Sequence, residues 1–253
     1  METGHVTSST QDRITTIEFY HPAHNSMPGA LLAELTAAIT EAGEDAGTHV
    51  ILLKSAGDRT FCAGASFDEL VAIENFEQGK QFFMGFANVI NACRLCPKLI
   101  VGRVQGKAVG GGVGIAAAVD YCMATKYASV KLSELALGIG PFVVGPAVER
   151  KIGHAAFSQL AINATEWQTA GWAKQRGLFA EVFETTEQLD DYLAHFTNKL
   201  TGMSLAAMTD LKTMFWQGTE HWGTLLETRA GISGRLVLSK ETRDAINAIR
   251  TQS

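Results

Sequence analysis

Gly110-Gly111-Gly112-Val113-Gly114 lies near the middle of the chain. Before it, Leu99–Val104 (LIVGRV) reads as a short buried strand, and after it Ile115–Val119 reads as the opening turns of a buried helix. Glycines between a strand and a helix let backbone approach a ligand closely, and they leave unpaired N–H groups at the positive end of the helix. Such a turn can hold an oxyanion or a phosphate. It can also be a tight connection with no ligand, and the run alone leaves both readings open.

Upstream of the run, Arg13–Tyr20 (RITTIEFY) alternates and is rich in β-branched residues, which predicts a strand. After the loop bracketed by Pro22 and Pro28, Leu31, Leu32, Leu35, Ala38 and Ile39 recur at helical spacing, and Val50–Lys54 (VILLK) reads as a second buried strand. Strand, helix, strand in this order implies parallel strands with a crossover helix. Phe61–Ser66 is a small-residue loop that enters a helix at Phe67–Ile73, and a longer helical pattern over about 78–95 stops at Pro97. Downstream, Tyr121–Thr125 and Ser129–Leu132 are short strands, Gly153 is a helix stop, 157–162 and 166–175 are helical, and Leu178–Phe183 is a last strand. From about residue 186 the pattern is helical throughout, in segments near 187–201, 204–216, 222–238 and 241–250.

The 253 residues, 46% hydrophobic and 19% charged, have ordinary globular composition. A formal net charge of -5 argues against nucleic acid as a partner, which needs a basic face. No apolar run approaches the ~20 residues that span a bilayer. The stretch METGHVTSSTQDR has no apolar signal core, so a cytoplasmic location without membrane attachment is expected. Cys93 and Cys96 form a C-x-x-C, but no second pair or neighbouring histidine completes a zinc set, and the pair ends a helix rather than opening one. The four cysteines read as small apolar packing residues, and no metal site is expected. His154, His195 and His221 lie in helical segments without a nucleophile motif, and Ser133 is not in a G-x-S-x-G elbow. Nor does G-G-G-V-G have the G-x-G-x-x-G spacing of a dinucleotide site.

Two small-residue loops, Ala63-Gly64-Ala65 and Gly110-Gly111-Gly112, each follow a strand and precede a helix. Neighbouring loops of that kind share the carboxyl edge of a parallel sheet, where two backbone N–H groups can be aimed at one oxygen. Phe61-Cys62-Ala63-Gly64-Ala65-Ser66 resembles the F-C-A-G-A-D-like signature of the crotonase superfamily, the enoyl-CoA hydratase/isomerase family. Gly110-Gly111-Gly112 resembles its G-G-G run, and Ser133-Glu134-Leu135-Ala136-Leu137-Gly138-Ile139-Gly140-Pro141 its acid followed by an L-G-h-x-P-like segment. Arg150-Lys151-Ile152-Gly153 and Gly177–Val182 fall where the family has further landmarks, so the resemblance covers nearly the whole chain.

That resemblance implies an α/β fold: a crotonase-like ββα spiral core with the acyl-CoA site in residues 1–185, and a helical C-terminal trimerisation region in 186–253. It places the oxyanion-hole N–H groups on Ala65 and Gly111 and an adenine contact on the Ala63 backbone. Coenzyme A would enter as part of the substrate, with no separate cofactor, and Arg59 is a candidate contact for its phosphates. A homotrimer or a dimer of trimers is implied, consistent with the apolar Trp216, Trp222, Leu225, Leu226, Ile232, Leu236 and Val237 of the tail. Hydratases of the family carry two glutamates. The first falls on Gly114, which has no side chain, and the second on Glu134. Adding water is easiest with two carboxylates, whereas moving a proton between two carbons needs one base that takes it and returns it. The residues therefore favour enoyl-CoA isomerisation on Glu134, whose apolar neighbours should raise its pKa. Two alternatives stand beside it: hydration, with a branched substrate such as methylglutaconyl-CoA and a second acid such as Asp68 or Glu69, and a degenerate acyl-CoA-binding subunit.

Overall fold

A computed structural model describes residues 4–250. The chain opens with an antiparallel pair, β1 (His5–Gln11) and β2 (Ile14–Tyr20), joined by Asp12 and Arg13 at positive φ of 51° and 67°. A two-residue turn of that conformation matches the twist of the strands it joins. β1 is polar and mostly exposed, so its sequence carries no burial pattern, and only β2 was legible in advance.

The elements that follow repeat one plan. α1 (Gly29–Glu44) buries Leu31, Leu32, Leu35 and Ile39 and leads to β3 (Val50–Ser55), which pairs in parallel with β2 as the strand–helix–strand pattern predicts. Then come β4 (Thr60–Cys62), α2 (Phe67–Val71) and α3 (Phe76–Leu95). A second round consists of β5 (Leu99–Val104), β6 (Lys107–Val109) and α4 (Gly111–Ala118). A third consists of β7 (Tyr121–Thr125), β8 (Ser129–Lys131), a 3-10 turn at Glu134–Leu137 and α5 (Gly145–Ile162). β9 (Gln168–Thr169), α6 (Ala170–Gln175) and β10 (Glu181–Phe183) close the sheets. In each round the first strand joins a six-stranded sheet of order β1-β2-β3-β5-β7-β10. The second joins a four-stranded sheet of order β4-β6-β8-β9. This strand–strand–helix repetition is the ββα spiral.

Four helices complete the described chain: α7 (Thr186–Thr201), α8 (Leu205–Phe215), α9 (Trp222–Leu236) and α10 (Lys240–Arg250). α7 lays Leu189 and Leu193 on Val50, Val101 and Met123 of the large sheet. α9 runs against α3 so closely that a Cβ at Gly79 would lie 2.8 Å from the Gly234 carbonyl oxygen. Among the described residues no helix is long and apolar enough to cross a membrane.

Four local readings need correction. The glycine run follows the three-residue β6 rather than Leu99–Val104 directly. The buried helix α4 runs Gly111–Ala118, so Ile115–Val119 is its end rather than its opening, whereas Gly153 (φ 77°, ψ 160°) does stop one helical stretch, the next resuming directly after it. At 166–175 a two-residue strand precedes the helix, because the Thr169 hydroxyl caps it by accepting from the Trp172 N–H. The last strand starts at Glu181 rather than Leu178. After Gly177 (φ 86°), the N–H groups of Leu178 and Phe179 turn back to the Ala173 carbonyl.

Candidate active site

The small sheet brings the two glycine loops together. β4 and β6 are adjacent and parallel, with Cys62 opposite Ala108, so Ala63–Ser66 and Gly110 leave the sheet at the same edge. A buried polar frame fixes the approach to β4. Asn25 Nδ2 donates to the carbonyls of Ala56 (2.8 Å) and Thr60 (2.9 Å), and Gln105 Nε2 donates to Ser55 Oγ and the Gly57 carbonyl, both at 2.9 Å.

In the first loop, Met27 and Ala65 form a parallel bridge: the Met27 N–H donates to the Gly64 carbonyl (2.8 Å) and the Ser66 N–H to the Met27 carbonyl (3.2 Å). Alternation along an extended backbone then turns the N–H of Ala65 away from Met27. Gly64 holds φ at 91°, and a Cβ there would come within 3.1 Å of the Val109 carbonyl. A side chain is therefore excluded twice, by conformation and by space. Ser66, where the family pattern has an acid, caps α2 by accepting from the Glu69 N–H at 3.4 Å. In the second loop Gly110 has φ 51°, and Gly111 is the first residue of α4, so its N–H has no i−4 partner within the helix.

Ala63, Gly64, Ala65, Gly110, Gly111 and Glu134 all line one cavity of about 490 Å³. A Cβ on Gly110 would lie 3.0 Å from Glu134 Oε1, which puts the carboxylate directly beside the glycine turn. Glu134 Oε2 is shut off from solvent and has no hydrogen-bond partner among the described residues. Burial raises the carboxyl pKa from 4.5 to about 7, against a small opposing effect of its own backbone N–H. Among the described residues that line the cavity Glu134 is the sole carboxylate.

The position that the sequence resemblance matches to the family's first glutamate, Gly114, is closed to a side chain. A Cβ on Gly114 would lie 2.5 Å from Cγ1 and 2.8 Å from Cβ of Val144, a residue that itself lines the cavity. Neither candidate substitute reaches the site. Asp68 is exposed, and Glu69 Oε2 accepts the N–H of Gly29 at 2.8 Å, at the start of α1. Arg59 is exposed and does not line the cavity, although its carbonyl accepts from the Lys107 N–H. Cys93 and Cys96 are buried, and burial pushes the Cys93 thiol up to about 12. Such thiols are inert packing groups at neutral pH.

Several residues of the site were not legible beforehand. Lys131 on β8 lines the cavity, and its ammonium sits 4.7 Å from the centre of the Trp167 ring, with Lys107 on the same ring at 5.1 Å. Neighbouring strands of the small sheet bring these cations together, which spacing along the chain does not reveal. Phe82, Phe83 and Phe86 form much of the far wall. They lie in the segment read only as a helix over about 78–95, and nothing in that pattern assigned them to a pocket.

Glu134 also makes a stability prediction. A carboxyl whose folded pKa is raised holds its proton more tightly in the native state, so stability is lost as pH rises from 4.5 towards 7. At 1.36 kcal/mol per pH unit the ionised group costs of order 3 kcal/mol. Glu134→Gln should therefore raise the melting temperature at pH 8, and the gain should shrink as pH falls towards 4.5. Thermal unfolding across that range checks it, and a variant less stable than wild type at pH 8 would contradict the buried charge.

Comparison with known proteins agrees with this geometry. The enoyl-CoA hydratase/isomerase family model matches residues 9–243. A short-chain-enoyl-CoA hydratase from Clostridium acetobutylicum is 26% identical, over 98% of this chain and 95% of its own. A peroxisomal Delta(3,5)-Delta(2,4)-dienoyl-CoA isomerase from Arabidopsis thaliana is 26% identical, over 79% of this chain and 76% of its own. The crystal structure of an enoyl-CoA hydratase from Bacillus halodurans superposes with a TM-score of 0.89 at 20% identity, covering 96% of this chain and 99% of that one. With its spiral and paired glycine loops, the chain belongs to the enoyl-CoA hydratase/isomerase (crotonase) family and is an enzyme that acts on CoA thioesters.

Proposed function

We propose that the enzyme shifts the double bond of an enoyl-CoA by proton transfer on one carboxylate, Glu134. The thioester carbonyl lies between the N–H groups of Ala65 and Gly111. Glu134 takes a proton from the carbon next to the thioester, the charge moves onto the carbonyl oxygen as an enolate, and Glu134 returns the proton two carbons further along. Donors fixed in advance need no reorganisation as that charge forms. Coenzyme A is part of the substrate and no other cofactor takes part. The Ala63 backbone faces the adenine, while Lys107, Lys131 and Arg59 supply positive charge for the phosphates.

The observation that carries this reading is a single carboxylate in the cavity. Among the described residues Glu134 is the one acid of the lining, and Val144 fills the space where a second would stand. A carboxyl with a pKa of about 7 can both accept and return a proton near neutrality. Hydration is the second reading, favoured by the near full-length likeness to a short-chain-enoyl-CoA hydratase. Turnover of a 3-enoyl-CoA beside hydration of a 2-enoyl-CoA decides between them. Faster isomerisation supports single-base transfer, and faster hydration overturns it.

The assembly proposed is a homotrimer or a dimer of trimers. Leu211, Met214 and Phe215 of α8 are 43%, 62% and 45% exposed, a concentration of apolar surface on one helix that suits a subunit interface. Light scattering at micromolar concentration should give three or six chain masses. A monomer mass would count against the assembly.

A further inference from the structure

The cavity also carries information about the acyl group, an inference that rests on the acyl-CoA reading above. Besides Glu134 and the two loops, its lining is rich in large hydrocarbon side chains: Phe67 and Leu70 from α2, Phe82, Phe83 and Phe86 from α3, and Phe142. Phe82 and Phe83 meet edge to face at 5.0 Å, which fixes both rings. The cavity of about 490 Å³ takes in the two glycine loops as well as this wall, and a four-carbon acyl group held at those loops would cover only part of six large apolar side chains.

Charge narrows the class further. Among the described residues Lys131 is the sole cation of the lining, and its ammonium lies against Trp167, which does not line the cavity. Arg229 comes near from α9, but its Nη1 donates to the Phe142 carbonyl and it is not part of the lining. A carboxylate at the distal end of an acyl chain would therefore be buried without a partner and beside Glu134, at a cost both from desolvation and from like charge. Ser233, 1% exposed and part of the wall, offers a hydroxyl but no charge.

We infer that the acyl group is an uncharged hydrocarbon of about eight carbons or more, and that short or carboxylated acyl groups are poor ligands. Because each buried methylene is worth up to about fourfold in affinity, saturated thioesters that cannot react give a direct readout. Calorimetric titration of the wild-type enzyme with free CoA, butyryl-CoA, octanoyl-CoA and glutaryl-CoA is the experiment. Octanoyl-CoA should bind at least tenfold more tightly than butyryl-CoA, and glutaryl-CoA no more tightly than butyryl-CoA. Octanoyl-CoA within twofold of butyryl-CoA, or glutaryl-CoA as tight as octanoyl-CoA, would overturn the inference while leaving the CoA-thioester site in place. Absence of binding by every CoA compound would overturn that site as well.

Discussion

Glu134→Gln is expected to lower kcat for double-bond isomerisation by about 10²–10⁴-fold, the usual contribution of one positioned acid–base group. KM should change little, because glutamine keeps the volume and the amide cannot exchange a proton with carbon. The size of the effect follows from the absence of a substitute. Among the described residues Glu134 is the sole carboxylate lining the cavity, Asp68 is exposed, and Glu69 is engaged with the Gly29 N–H. Asp68→Asn and Glu69→Gln should therefore leave kcat within about twofold of wild type, since neither group faces the reacting carbons. Steady-state kinetics on the three variants checks this, and a large loss in Asp68→Asn would reveal a second proton carrier.

The second large effect is expected from the backbone. Replacing the Gly64–Ala65 peptide by an ester removes the Ala65 N–H and nothing else from the loop. Loss of one oxyanion donor should cost about 10²–10³-fold in kcat, or about 3–4 kcal/mol. The bridge to Met27 uses the Gly64 carbonyl and the Ser66 N–H. An ester oxygen at position 65 leaves both groups in place, although it makes that carbonyl a weaker acceptor. Melting temperature should fall modestly while kcat falls steeply, and that divergence separates a catalytic donor from a structural one. An ester enzyme with near wild-type kcat would remove Ala65 from the reaction.

The parts of this site legible in the sequence are those carried by short runs of unusual residues. Gly64 and Gly110 both hold positive φ, and a side chain would meet the Val109 carbonyl at the first and the Glu134 carboxylate at the second, which is why glycine stands at both. Glu134 was conspicuous as an acid among leucines, and the pKa rise expected from that setting matches the direction found in the fold. The parallel β2–α1–β3 unit followed from the change of hydrophobic period between its elements. What stayed hidden depends on pairing between distant segments. β4 and β6 are three residues each, too short to show a period, yet their parallel register is what puts the two loops side by side. The blocking of Gly114 needs Val144, thirty residues on, and the Lys107–Trp167–Lys131 cluster needs three neighbouring strands and the turn beside them. Ser66 stands where the resembled signature has an acid, and its task, capping α2, shows only in the fold.

The most direct measurement of the central claim, one buried carboxylate carrying the proton, is the pH dependence of kcat/KM for isomerisation. That ratio reports ionisations of the free enzyme. Glu134 must be ionised to accept the first proton, and burial places its pKa at about 7. kcat/KM should rise tenfold per pH unit below 7, pass a single inflection near 7 and reach a plateau above it. A bell-shaped profile, which requires a second essential acid, or a profile flat from pH 5 to 9, which requires no ionisation of Glu134 in that range, would contradict it.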